Sequence, residues 1–196
     1  MVVKQRCSWV RQPLNQFHDF EWAVPVTTEE ELFCLLALQI WQSGLSMTVL
    51  LRKRAALCQT FHYFDPQWLR VTNEDTLLAK LDDDRLIRNR RKLFAIWHNA
   101  FALQRLHQQH LTLSQLLWQQ HKPTAFKVAT EIPRYDESGL TVAAQLKQAD
   151  FQFMGPTNCY ALLATAGVLN LHLTSCWRYP IIQEAQSRIT TAFASS

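Results

Sequence analysis

Residues 82–106 read DDDRLIRNRRKLFAIWHNAFALQRL, a charged break followed by a long apolar stripe. Leu93, Ile96, Trp97, Ala100, Leu103 and Leu106 recur at steps of three and four, which gathers them on one face of a helix of about five turns or more. The first turn of that helix is basic. Upstream, the cluster Thr72-Asn73-Glu74-Asp75 starts a shorter helix that runs towards Leu81, with Leu77, Leu78 and Leu81 as its stripe. The break therefore joins two helices. On their own, the cations from Arg85 to Lys92 read first as a solvated face.

The same periodicity extends in both directions. Thr28-Glu29-Glu30-Glu31 reads as a capping box opening a helix over 29–43, with Gly44 as its stop, and Ser46 caps a second helix through about Cys58. The exposed face of that second helix would carry Arg52, Lys53 and Arg54, again read as solvated. Asp65-Pro66 starts a short helix, another lies near 112–120, and residues 132–139 read as a polar surface loop before helical spacing resumes at 140–149. Pro156-Thr157 opens the last core helix, which Gly167 ends. Only 4 glycines in 196 residues argue further against a many-stranded fold, so the expected class is all-α.

A chain of 196 residues that is 48% hydrophobic can bury a core as one domain over 1–196, or as two small lobes around a groove. The formal charge of +4 is too modest to announce a nucleic-acid binder. No apolar run approaches the roughly 18 residues that span a bilayer, and the start lacks a signal-peptide core, so no membrane partner and a cytoplasmic location are expected. Five cysteines at wide spacings favour reduced thiols or metal ligands over disulfides, and Cys34, Cys58 and Cys159 read as core residues.

The remaining two cysteines have histidines for company. Cys7 and His18 lie near one end of the chain, His172 and Cys176 near the other, and two imidazoles with two thiolates suit tetrahedral zinc. The step of four would place His172 and Cys176 on one side of a helical turn. Spacing alone does not match one pair to the other.

The surroundings of these residues resemble one family. Arg6-Cys7-Ser8-Trp9-Val10 and His18-Asp19-Phe20-Glu21-Trp22-Ala23-Val24-Pro25 are similar to the opening of the DNA-3-methyladenine glycosylase I family. Gln42-Ser43-Gly44-Leu45-Ser46, Phe61-His62-Tyr63-Phe64-Asp65-Pro66, the segment 87–93, Asn99-Ala100 and the segment 151–157 follow in the family's order, over approximately residues 5–180. The resemblance implies an all-α, helix-hairpin-helix DNA glycosylase fold in which structural Zn2+, one per chain, on Cys7, His18, His172 and Cys176 tethers the N- and C-terminal regions. It implies a monomer that hydrolyses the glycosidic bond of alkylated purines, 3-methyladenine above all, in double-stranded DNA. A hairpin over about 77–100 would then hold a phosphate by backbone N–H groups, with Arg88, Arg90 and Lys92 beside it.

The base-recognition positions depart from the pattern. Aligned through Gly44-Leu45-Ser46, the family's catalytic-site glutamate falls on Gln39, its stacking tryptophan on Met47, and its tyrosine on Phe17. Gln39 still offers hydrogen bonds to a purine edge but brings no negative charge, Met47 lacks a π face, and Phe17 lacks the hydroxyl. Trp9 and Trp22 are the expected alternative stacking surfaces. These replacements admit a second reading, a catalytically weakened or inactive paralogue that binds DNA or lesions. Arg85 stands where the hairpin has glycine, which would strain a turn needing positive φ. Leu171 replaces an acidic residue beside His172, which predicts a looser shell around the metal.

Overall fold

A computed structural model describes residues 4–194. Among the described residues the secondary structure is helical, with one isolated bridge between Phe126 and Leu173. The ten α-helices are α1 (Asn15–Phe20), α2 (Glu29–Gln42), α3 (Met47–Thr60), α4 (Pro66–Val71), α5 (Glu74–Ala79), α6 (Arg90–Gln108), α7 (Leu113–Trp118), α8 (Glu137–Gln148), α9 (Pro156–Thr165) and α10 (Arg178–Ala194). None is long and apolar enough to cross a membrane.

The predicted stops and starts are mostly realised by side-chain caps. Ser46 Oγ accepts from Val49 N, Asp65 Oδ1 from Gln67 N, Asn73 Oδ1 from Thr76 N and Asn89 Oδ1 from Lys92 N, each quenching an amide that its helix leaves orphaned. Thr28 departs from the expected capping box. Its hydroxyl donates to Glu31 Oε2 at 2.6 Å and accepts nothing from the backbone. Its neighbour Glu29 instead crosses to α7, where its carboxylate accepts from Leu113 N at 3.0 Å and Ser114 N at 2.7 Å, and also accepts from His107 Nε2 of α6 at 2.9 Å.

α2 is the axis of the molecule. Leu32, Phe33, Leu36, Ala37, Ile40 and Trp41 are all fully buried, too many for one stripe, and the helix accordingly packs against α3, α6, α7 and α9. α6 buries Leu93, Ile96, Ala100, Leu103 and Leu106 of the predicted stripe, leaves Trp97 half-buried, and carries Asn99, fully buried, whose side chain accepts from Gln152 N at 2.7 Å and donates to Gln152 O at 3.1 Å. That pair of bonds ties the loop before α9 to the middle of α6.

Three elements differ from expectation. The loop assigned to 132–139 ends early, because Asp136 Oδ1 accepts from Ser138 N and starts α8 at Glu137. Gly139 lies in its first turn, where a Cβ would sit 2.8 Å from Pro156 O and 3.0 Å from the Tyr160 Cβ, so the glycine serves close approach of α8 to α9. The short α1 and the long α10 were not foreseen. α10 hides its inward face from a hydrophobicity reading: beside Ile182, buried Gln186 anchors it by donating to Gly167 O and Val168 O.

Candidate metal centre and phosphate-facing surface

The two ends of the chain meet at a buried group of four ligand-type side chains. Cys7, His18, His172 and Cys176 are at most 2% exposed, and their donor atoms all lie within 4.8 Å of one another. Cys176 Sγ is 3.5 Å from His18 Nε2 and 3.6 Å from His172 Nδ1, and Cys7 Sγ is 3.6 Å from the same Nδ1. Zinc bonds to sulfur and nitrogen of ordinary length, set at tetrahedral angles, would place S and N about 3.6 Å apart. The donor set and its spacing therefore fit a tetrahedral metal ion.

Local backbone explains the convergence. α1 carries His18, while Cys7 is fixed by Leu173 N, which donates to its Sγ at 3.4 Å. His172 and Cys176 stand in the irregular segment before α10, not on a helical turn; a bond from Cys176 N to Leu173 O at 2.8 Å brings them to one side. Trp177 N donates to Gln5 O, so the backbones of the two ends are joined as well.

The charge balance suits ligation by thiolate. Hydrogen bonding from Cys7, then from His172 and His18, holds Cys176 far below its usual range, at about 2, against the opposing effect of burial. The hydrogen bond to Cys176, together with burial, pushes Cys7 up, so the pair shares one proton and a cation would displace it.

The outer contacts of the two histidines are unequal. His18 donates from Nδ1 to Asp19 Oδ1 at 2.8 Å, which presents Nε2 to the sulfurs. Arg6 clasps the same carboxylate, with Nη2 to Oδ2 at 2.7 Å, and with His18 lowers Asp19 to about 2. Among the described residues His172 Nε2 is buried with no hydrogen-bond partner, and Leu171 beside it is packed in the main core. A leucine here brings no carboxylate to the ring, in contrast to Asp19 on His18.

Trp9 and Trp22 wall this centre, each of them half-buried. Their ring centroids are 4.9 Å apart, with Trp9 5.4 Å from His18 and Trp22 4.5 Å from His172. Packing of this kind excludes water from the ligands. Phe17 precedes His18 on α1 and is buried, Gln39 is buried on α2, and Met47 opens α3 half-buried against the core. Gln39 Nε2 donates to Thr165 Oγ1 on α9 at 3.0 Å, a partner that no spacing in the sequence could have supplied.

Between α5 and α6, Arg88 and Arg90 are exposed as expected, with Arg88 Nη2 donating to Asp82 O. Lys92 is a correction: it is 6% exposed, and Nζ donates to Trp41 O at 2.8 Å and Ser43 O at 2.5 Å. Its ammonium caps the C-terminal end of α2, and burial lowers its pKa. Arg85 brings no left-handed strain, since it is absent from the positive-φ residues; Asp83 Oδ1 accepts from its backbone N at 2.9 Å, and the same carboxylate holds its guanidinium. The basic run on α3 divides in two ways. Arg54 pairs with Glu21 and Lys53 donates to Asp84 O, while Arg52 stays exposed.

The pattern of the methyladenine glycosylase family matches residues 8–179. DNA-3-methyladenine glycosylase 1 of Escherichia coli (strain K12) is 34% identical over 182 residues, which cover 90% of this chain and 97% of that protein. A crystal structure of 3-methyladenine DNA glycosylase I superposes with a TM-score of 0.85 at 34% identity, covering 90% of this chain and all of the other. A tyrosine-to-phenylalanine variant of 3-methyladenine DNA glycosylase I, solved in complex with 3-methyladenine, superposes with a TM-score of 0.81 at 27% identity, covering 87% of this chain and 95% of that one. A shared sequence pattern from residue 8 to residue 179 and a shared helical fold make this chain a member of the methyladenine glycosylase family.

Proposed function

We propose that this chain is a monofunctional DNA N-glycosylase of base-excision repair that hydrolyses the glycosidic bond of alkylated purines, with 3-methyladenine as its principal base. The observation that carries this reading is the family match over residues 8–179 together with the fold it shares with a relative solved with 3-methyladenine. Methylation at N3 gives adenine a positive charge, so the bond electrons neutralise the departing base as C1′ is attacked by water. Little acid catalysis is needed, and recognition does most of the work.

Gln39 takes the position of the family's glutamate. Thr165 commits its proton to Ala161 O at 2.8 Å and so presents a lone pair to Gln39 Nε2, which leaves Gln39 Oε1 as the acceptor for an amino group of the base. Phe17 supplies ring surface and Met47 polarizable packing beside that edge. An inactive, lesion-binding paralogue is not favoured, because the family whose pattern matches and the relatives at 34% and 32% identity are named as glycosylases.

The four buried ligands would hold one Zn2+, which in a closed S2N2 set supplies structural cross-linking and no open position for chemistry. Residues 1–196 form one monomeric domain acting on double-stranded DNA in the cytoplasm. The segment from α5 to α6 acts as a hairpin of about residues 77–100 that offers backbone N–H groups, Arg88 and Arg90 to a phosphate. The deciding experiment incubates purified protein with methylated duplex DNA and follows free 3-methyladenine by chromatography. Release by the wild type supports the reading; no release by wild type or by Gln39→Glu overturns it.

A further inference from the structure

The cations that the hairpin does not use gather elsewhere. Val49, Arg52, Lys53, Ala55, Ala56 and Gln59 of α3 face Arg85, from the α5–α6 connection, across an open groove of about 590 Å³. Arg52, Ala55, Ala56 and Gln59 follow at steps of three and four, so they share one face of the helix. Two alanines keep the floor low between cationic walls.

The state of each cation matters more than its presence. Arg52 has no hydrogen-bond or ion-pair partner among the described residues, in contrast to Arg54 two residues on, which is spent on Glu21. Lys53 donates to the Asp84 backbone carbonyl at 2.8 Å, a neutral acceptor that positions the ammonium without cancelling its charge. Arg85 uses Nε and Nη2 on Asp83, with Nη2 at 2.6 Å from Oδ2, leaving Nη1 for another acceptor; its side chain is 68% exposed. That ion pair offsets Asp83 and part of the charge of Arg85, whose Nη1 stays available, and the exposed Asp84 is a further acid beside the groove.

From this arrangement we infer that the groove between α3 and Arg85 is a second DNA-backbone site, holding a phosphate next to the one taken by the hairpin. Guanidinium forks and an oriented ammonium suit tetrahedral phosphate oxygens, and Arg85 belongs to both the groove wall and the hairpin connection, so one strand can pass from one to the other. The residue that stands in place of the family's hairpin glycine therefore adds a contact. The inference rests on the proposed action on DNA.

The test is the salt dependence of binding to a fluorescent undamaged duplex, measured by anisotropy. Arg52→Gln and Arg85→Gly are each expected to lower the slope of log K against log salt by about 0.9 and to weaken binding to all sequences alike. Arg52→Lys should restore the slope, and Arg188→Gln on α10 should leave it unchanged. Circular dichroism melts confirm that each variant is folded. Wild-type slopes in Arg52→Gln and Arg85→Gly, alongside a reduced slope in Arg88→Gln, would overturn the groove and leave the hairpin standing. A wild type that binds no duplex would overturn the glycosylase reading and the groove together, and is recognised by the loss in every arm.

Discussion

Gln39 on α2 donates its amide to Thr165 on α9 at 3.0 Å, and Thr165 passes its own proton to Ala161 O. This relay fixes which end of the Gln39 amide turns away from α9. Replacing Thr165 with valine would strand a buried N–H, at a cost of about 1–3 kcal/mol in chemical denaturation. Release of 3-methyladenine should fall in Thr165→Val and recover in Thr165→Ser, since serine keeps the acceptor. Equal release by all three proteins would show that Gln39 orientation has no bearing on recognition.

Cys176→Ser should bind much less than one zinc per chain and melt at lower temperature, as should the wild type after chelation. Zinc content is read by atomic emission on dialysed protein. A full complement of zinc in the serine variant would remove Cys176 from the ligand set.

Asp19→Asn tests the better-supported histidine. Asparagine can turn a carbonyl to His18 Nδ1 but loses the charge and half of the clasp that Arg6 makes with both oxygens. Zinc affinity in a chelator competition should fall by about 10–100-fold. An unchanged affinity would mean that ring orientation is set by packing against Trp9 and Trp22.

Lys92→Met should destabilise the fold by about 1–3 kcal/mol, because two carbonyls at the end of α2 lose their donor. The salt slope of DNA binding should stay at the wild-type value. A lower slope would return Lys92 to the phosphate-facing set.

Asp83 sits at about 2 because Arg85 bonds it through its side chain and its backbone. A carboxylate with a depressed folded pKa contributes stability that is present above its unfolded value near 4 and disappears as pH falls towards 2. In Arg85→Gly the Asp83 carboxyl should titrate closer to its ordinary value by NMR, and stability should vary less between pH 4 and 2. An unshifted titration would place the cause in the backbone bond alone.

How much of this was legible beforehand depended on what kind of signal each residue carries. Long apolar stripes and punctuating residues such as Gly44, Ser46, Pro156 and Gly167 made α2, α3, α6 and α9 legible, because period and end chemistry are both local. α10 was invisible: its inward face includes Gln186, whose role depends on carbonyls from another helix's end. The four candidate ligands could be named from their residue types, but only the family resemblance joined the two pairs, since Cys7 and His172 are separated by 165 positions and nothing in their spacing connects them. Lys92 misled for a related reason. Its charge suggested solvent, yet the carbonyls of Trp41 and Ser43 that it satisfies lie about fifty residues earlier in the chain.

The meeting of Cys7 and His18 with His172 and Cys176 also orders events during synthesis. Cys7 and His18 emerge from the ribosome well before His172 and Cys176 and must wait for them. Helices α2 to α9 can dock on one another in the meantime. A metal ion held by these four side chains would then be captured as a closing step on an assembled body, and a nascent chain that stalls before Cys176 would carry an unsealed, thiol-bearing N-terminal segment.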